Sequence, residues 1–107
     1  MKKNEVNNKN EKKVELVDTI EGMTSSDYKE RFIAEYVQLS VRIRKLKAFI
    51  GRIKYAKYAG VEEPKHDCPL DLLEKQLTTM MLYRMILEIR AEKYENVSLP
   101  DVGKDDE

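Results

Sequence analysis

The fold is decided by residues 32–53, which read FIAEYVQLSVRIRKLKAFIGRI and carry apolar side chains at alternating spacings of four and three. The positions of this apolar stripe are Phe32, Tyr36, Leu39, Ile43, Leu46, Ile50 and Ile53. A strand alternates its side chains with period two and cannot produce the pattern. The spacing therefore predicts one long amphipathic α-helix whose stripe packs against another helix.

Cap residues define the ends of two helices. Thr24–Asp27 contains only residues that favour N-cap positions, and Gly60 suits a left-handed C-cap, so the first helix is expected at about 26–59. Pro69 suits the first turn of a second helix, where its missing N–H has no cost, and that helix is expected at about 68–95. The short link predicts an all-α fold, a long antiparallel two-helix hairpin.

The segments on either side of the hairpin have a different composition. Residues 1–23 are rich in Lys, Asn and Glu and predict a disordered or weakly ordered tail, or else an arm that orders on a partner. Residues 96–107 combine turn formers with acidic residues and predict a flexible acidic tail. The helical hairpin domain is thus expected to span residues 24–95.

Composition limits the class of protein. The chain has 107 residues and no formal net charge, and it lacks a duplex-recognition motif, so binding of duplex nucleic acid is not expected. A single cysteine, Cys68, excludes an intrachain disulfide and favours a reducing compartment. No signal peptide or membrane span is recognisable, so a cytoplasmic protein without membrane association is expected.

No motif for catalysis, metal binding or a cofactor is present. His66 and Cys68 are the only histidine and cysteine, too few for a structural zinc site and badly placed for a catalytic dyad. The phosphate-binding, dinucleotide and hydrolase motifs are absent. We therefore expect a protein that is not an enzyme and needs no cofactor.

The second helix is apolar on nearly all sides in its middle. One partner helix can cover only one of these sides, so the pattern predicts burial by further subunits in a helical-bundle homo-oligomer. Methionine is common at such adaptable interfaces. The expected interface residues are Met80, Met81, Leu82, Met85, Ile86 and Ile89.

Every charged residue from Arg42 to Lys57 is basic. Such a run is either an ordinary solvated face, whose long side chains cover apolar surface, or an anion site for phosphates. Tyr55 and Tyr58 lie about one turn apart beside it and could stack on a base. The candidate ligand- or partner-binding residues are Arg42, Arg44, Lys45, Lys47, Arg52, Tyr55, Tyr58, Tyr83 and Arg84.

Arg84 interrupts the apolar stripe of the second helix. An arginine in that position must reach solvent, pair with an acid or meet an anionic ligand. Glu88, four residues further on, and Glu35 of the first helix are the expected partners. If an oligomer closes a cavity here, Tyr83 and Arg84 are where a bound phosphate is expected.

A resemblance to a known family rests on Tyr28, Glu35, Leu39, Ile43, Leu46, Phe49 and Ile50 of the first helix and on Leu73, Gln76, Met80, Tyr83, Ile86, Leu87 and Arg90 of the second. In these positions the two helices resemble a family of small phage and prophage α-helical hairpin proteins named after a member from a crAss-like bacteriophage. The resemblance covers about 28–94 and implies no catalytic residues, while the long N-terminal tail and acidic C terminus depart from the family pattern. A weaker architectural likeness is to the anti-CBASS and anti-Thoeris sponge proteins, oligomeric hairpins that sequester cyclic-nucleotide immune signals.

The resemblance and the residue patterns together predict a phage or prophage accessory protein active in counter-defence. The expected mechanism is sequestration of a nucleotide immune signal, such as a cyclic nucleotide, by a homo-oligomer in the host cell cytoplasm. Two alternatives stay open. One is an inhibitor that binds a host defence or CRISPR–Cas protein, and the other is a structural or assembly protein.

Overall fold

The computed structural model describes residues 13–102, and over this range the chain is helical with no strand. Two long helices form the hairpin, and shorter helical segments lie before and after them. None of these helices is both long and apolar enough to cross a membrane. The segments are a 3-10 turn (Leu16–Thr19), α1 (Ile20–Met23), α2 (Tyr28–Ala59), α3 (Leu70–Arg90) and a π-helical turn (Ala91–Glu95).

The ends of α2 confirm the predicted caps. Asp27 is the N-cap, and its carboxylate accepts a hydrogen bond from the backbone N–H of Lys29 at 3.0 Å. Gly60 ends the helix with φ at 73°, a left-handed conformation that glycine adopts without strain. α3 begins slightly later than expected, because Pro69 takes the extended N-cap position instead of the first helical one.

The core lies where the stripe of α2 meets α3. Its buried cluster joins four residues of the stripe to two at the C-terminal end of the second helix, and Met80 packs against it. Lys54 pairs with Glu74 at 2.7 Å near the loop, and Arg90 donates to the Tyr28 hydroxyl at 2.7 Å at the other end. These contacts make the hairpin antiparallel, as predicted. The cluster consists of Phe32, Tyr36, Leu39, Ile43, Leu87 and Ala91.

Residues 13–23, hereafter the N-terminal arm, fold along α2, whereas a tail was expected there. Thr19 is buried, and the backbone of Gly22 approaches α2 so closely that an added Cβ would lie 2.8 Å from the Cβ of Ala34. The physical reason is a second apolar face of α2. Ala34 and Val41 lie off the stripe that faces α3 and are nevertheless buried. Residues 1–12 lie outside the described part of the chain.

Residues 96–102 also differ from the tail that was expected. Asn96 has a left-handed backbone conformation, with φ at 55°, and turns the chain back toward the hairpin. Val97 and Leu99 then pack against the core cluster, and Val102 is buried. These apolar residues stand singly among turn formers, so the average composition conceals them. Residues 103–107 lie outside the described range.

Candidate functional site

One side of α3 exposes a continuous apolar surface, which we call the outer face. Its residues are spaced by one, three or four positions and so share one side of the helix, turned away from α2. Each is between 39% and 53% exposed. A contiguous apolar patch of this kind is typical of an interaction surface. The outer face consists of Met81, Leu82, Met85, Ile86 and Ile89.

The structure thus brings five of the six predicted interface residues together. Met80 is the exception, because its side chain packs against the hairpin core rather than lying on the outer face. The rotation of about 100° per residue separates it from Met81. Self-association through the outer face stays a prediction.

Much of the basic run is neutralised within the chain. In the N-terminal arm, Glu15 places Oε1 2.9 Å from Lys45 Nζ and Oε2 3.4 Å from Arg44 Nη2. Arg44 also donates to the carbonyl oxygen of Val14 at 3.1 Å. The hydrogen bond from Lys45 lowers the pKa of the Glu15 carboxyl. Sequence reasoning did not find this contact because the arm was taken for a tail.

At the hairpin loop a second acid contacts both a lysine and the histidine. Glu63 lies 2.9 Å from Lys57 Nζ and 3.1 Å from His66 Nε2, and the other ring nitrogen of His66 contacts the carbonyl oxygen of Cys68 at 2.8 Å. The hydrogen bond with Glu63 raises the pKa of His66, and bonds from His66 and then Lys57 lower the pKa of Glu63. His66 therefore links Glu63 to the backbone of Cys68 within the loop. No group of three potential metal ligands gathers anywhere in residues 13–102.

Two exposed arginines of the run, Arg42 and Arg52, have no acidic partner within the described range, and Lys47 is half-buried. The guanidinium of Arg52 lies 5.4 Å from the ring centroid of Phe49. Arg52 also borders an open groove with Tyr55. The run is therefore a mixture of internally paired residues and a few exposed cations.

The groove beside Arg52 has a glycine in its wall. An added Cβ on Gly51 would meet nothing within 4 Å, so no other described segment of this chain packs closely against the helix at this position. Tyr55 is 68% exposed and Tyr58 93% exposed, and both rings are open to solvent. Stacking of either ring on a base stays a prediction.

Arg84 is half-buried and makes no hydrogen bond or ion pair with any residue in the described range. The other two half-buried arginines of that range are both paired. Arg44 binds Glu15, and Arg90 lies 2.8 Å from Glu95. Arg84 is therefore the exception among them.

Both acids expected to neutralise Arg84 are taken by tyrosines. Glu88 accepts a hydrogen bond from the Tyr36 hydroxyl at 2.9 Å, and Glu35 accepts one from the Tyr83 hydroxyl. The prediction that either acid pairs with Arg84 is therefore wrong. The bond with Glu35 raises the pKa of Tyr83, because a neighbouring carboxylate disfavours the phenolate.

A family of known proteins matches most of the described chain. The model of the Sequestin family matches residues 26–93, which is 68 of the 107 residues and contains both long helices in full. No curated protein and no solved structure matches the chain. The matched range begins after the N-terminal arm and includes Arg84 and the outer face.

Proposed function

This chain belongs to the Sequestin family, and on that premise we propose that it is a non-enzymatic protein that sequesters an anionic ligand. The family name denotes sequestration, which agrees with a chain that offers binding surfaces and no catalytic motif. We propose further that it is a phage or prophage accessory protein active in counter-defence. Its ligand would then be a nucleotide immune signal, a cyclic nucleotide.

The observation that carries this proposal is the missing partner of Arg84. A partly buried guanidinium loses hydration, and an anion must replace that water if burial increases. The chain contains two acids that could have done so, and tyrosine hydroxyls occupy both. A phosphate can serve as the acceptor that Arg84 lacks, because the planar guanidinium of arginine can donate hydrogen bonds to two phosphate oxygens at once.

The outer face explains why the ligand would be enclosed. Met81 lies three residues before Arg84 on α3, so Arg84 borders the edge of the outer face. A second copy of the chain seated on this face would bury its apolar side chains and remove further water from Arg84. The phosphate would then be held at a subunit junction. The ring of Tyr83, which is 42% exposed, would supply an aromatic surface close by in the chain.

The test is ligand binding by the intact chain and by a matched pair of arginine variants. Cyclic di- and trinucleotides are added to the wild type, Arg84→Gln and Arg42→Gln, and the melting temperature is measured. A ligand that binds only the folded state raises it. We expect a rise for the wild type and for Arg42→Gln, whose arginine is exposed on the other long helix, and no rise for Arg84→Gln.

Two outcomes would contradict the proposal. No rise with any nucleotide would exclude this ligand class, and an equal loss in both variants would exclude Arg84 as the site. Chromatography of the ligand after denaturation of the complex tests the non-enzymatic part. Sequestration returns the nucleotide unchanged, whereas a converted nucleotide would show that the protein is an enzyme.

A second candidate function, inhibition of a host defence or CRISPR–Cas protein, is favoured by the arm. Val17 and Ile20 are 67% and 57% exposed, and together with Met23 they border a mostly apolar groove that has Arg42 on its α2 side. A protein segment with an acid beside apolar residues would fit this groove. Here the target should co-purify with the wild type, and Arg42→Glu should abolish co-purification without changing the oligomeric state.

A further inference from the structure

We infer that Arg44 and Lys45 form a second anion-binding site, which Glu15 of the N-terminal arm occupies in place of a phosphate. An external phosphate group at this site would compete with Glu15 and displace the beginning of the arm. The inference does not depend on the proposed site at Arg84. It assigns a ligand class to one part of the basic run and a role to the arm.

The contacts of Glu15 are those of a bound anion. Its two carboxylate oxygens are divided between two cations, 2.9 Å from Lys45 Nζ and 3.4 Å from Arg44 Nη2. The side chain of Arg44 is only 11% exposed, and its hydrogen-bond acceptors within the described range are Glu15 and the carbonyl oxygen of Val14 at 3.1 Å. The arm therefore supplies all the acceptors seen at a partly desolvated guanidinium.

The contacts that hold residues 13–17 against α2 are weak enough for an external anion to displace them. Half of the Lys45 side chain and nearly half of the Glu15 side chain remain exposed, and ion pairs in water contribute little stability. Val17 points outward and adds little packing. The firm contact lies further along the arm, where Gly22 meets Ala34. Residues 13–17 could therefore leave the helix while α1 stays in place.

A phosphate suits the site better than the carboxylate does. It carries more negative charge and offers three acceptor oxygens, where Glu15 offers two. These oxygens could replace both the carboxylate of Glu15 and the carbonyl oxygen of Val14 as acceptors for Nη2 of Arg44. Lys45, with its mobile ammonium group, would follow the larger anion.

The experiment is an NMR titration of the full chain with inorganic pyrophosphate at constant ionic strength. The backbone amide of Val17 reports on the beginning of the arm, and that of Gly60 in the loop serves as the internal control. We expect the amide signal of Val17 to shift and that of Gly60 to stay. Glu15→Gln should bind pyrophosphate about threefold more tightly, because an exposed ion pair no longer competes.

The matched control is Glu63→Gln, which removes a carboxylate that also bridges two basic side chains, Lys57 and His66, but lies at the loop. Glu63→Gln should leave the affinity for pyrophosphate unchanged, whereas Lys45→Gln should lower it. Arg84→Gln should also leave the affinity for pyrophosphate unchanged, even if this variant loses the proposed nucleotide site. Equal affinity in the wild type and Glu15→Gln would overturn the inference. So would an equal gain in Glu63→Gln, or pyrophosphate binding without any shift of the Val17 amide signal.

Discussion

The hydroxyl of Tyr36 on α2 donates a hydrogen bond to Oε2 of Glu88 on α3 at 2.9 Å, although Glu88 lies one helical turn from Arg84. Tyr36 is almost completely buried, and its hydroxyl needs an acceptor. The contact between the helices therefore takes precedence over the local pair of Arg84 with Glu88. As a result the guanidinium keeps its binding capacity for another anion.

Replacement of Tyr36 by phenylalanine should therefore have two effects. The ring still packs, but the hydrogen bond to a carboxylate is lost, and we expect the free energy of unfolding to fall by about 1.5–3 kcal/mol. Glu88 would then be released toward Arg84 and weaken anion binding there. Urea unfolding and the nucleotide titration measure the two effects. The control, Tyr83→Phe, removes a more exposed hydrogen bond and should lower the free energy of unfolding by less. An equal decrease in both variants would contradict the argument.

Acidic substitutions on the outer face should prevent self-association. In Met85→Glu and Ile86→Glu a carboxylate would have to be buried between subunits, which is strongly unfavourable. Light scattering during size exclusion should give a multiple of 12.6 kDa for the wild type and about the monomer mass for both variants. Leu72→Glu is the control, since Leu72 is 53% exposed on the same helix but lies outside the outer face. A monomeric wild type would refute the interface.

The interaction of His66 with Glu63 in the loop should contribute most to the stability of the protein at mildly acidic pH. The folded pKa of His66 is raised above its ordinary 6.5, so its contribution is complete below that value and is lost as the pH rises through the folded pKa. The folded pKa of Glu63 is lowered from 4.5, so its contribution exists above that value and is lost as the pH falls through the folded pKa. The interaction is strongest between about pH 4.5 and 6.5.

The only histidine of the chain makes this prediction directly measurable. The ring protons of His66 should titrate above pH 6.5 in the wild type and closer to 6.5 in Glu63→Gln. Unfolding measurements across this range should show a stability loss with rising pH that His66→Gln lacks. The same pH dependence in both proteins would show that the loop pair contributes nothing.

Alanine at two glycines should change stability in opposite directions. Gly22→Ala places a Cβ 2.8 Å from the Cβ of Ala34, so the arm must shift and the melting temperature should fall. Gly51→Ala meets nothing within 4 Å and removes a flexible residue from a helix interior, which should stabilise by about 0.5–1 kcal/mol. A neutral Gly22→Ala would show that the arm packs loosely. If Gly51→Ala weakened self-association, the close approach at Gly51 would lie between subunits.

The predictable part of the fold rests on local rules. The stripe from Phe32 to Ile53, the caps Asp27 and Gly60 and the apolar surplus on α3 follow from helix periodicity and from the backbone preferences of single residue types. Each of these rules concerns residues close together in the chain. The structure confirms the caps and most of the stripe, with Leu46 half-buried and the other stripe positions buried.

The sequence by itself determined the helices, their antiparallel pairing and the set of charged residues able to interact. Only the tertiary structure decided which of them do, since Tyr36 and Glu88 stand 52 positions apart and Glu15 and Arg44 stand 29 apart. Helix spacing identifies the neighbours of Arg84, but a buried hydroxyl from the other helix competes for the same acid. The side chain that loses more by remaining unpaired takes the partner, and burial, which is a property of the whole fold, sets that loss.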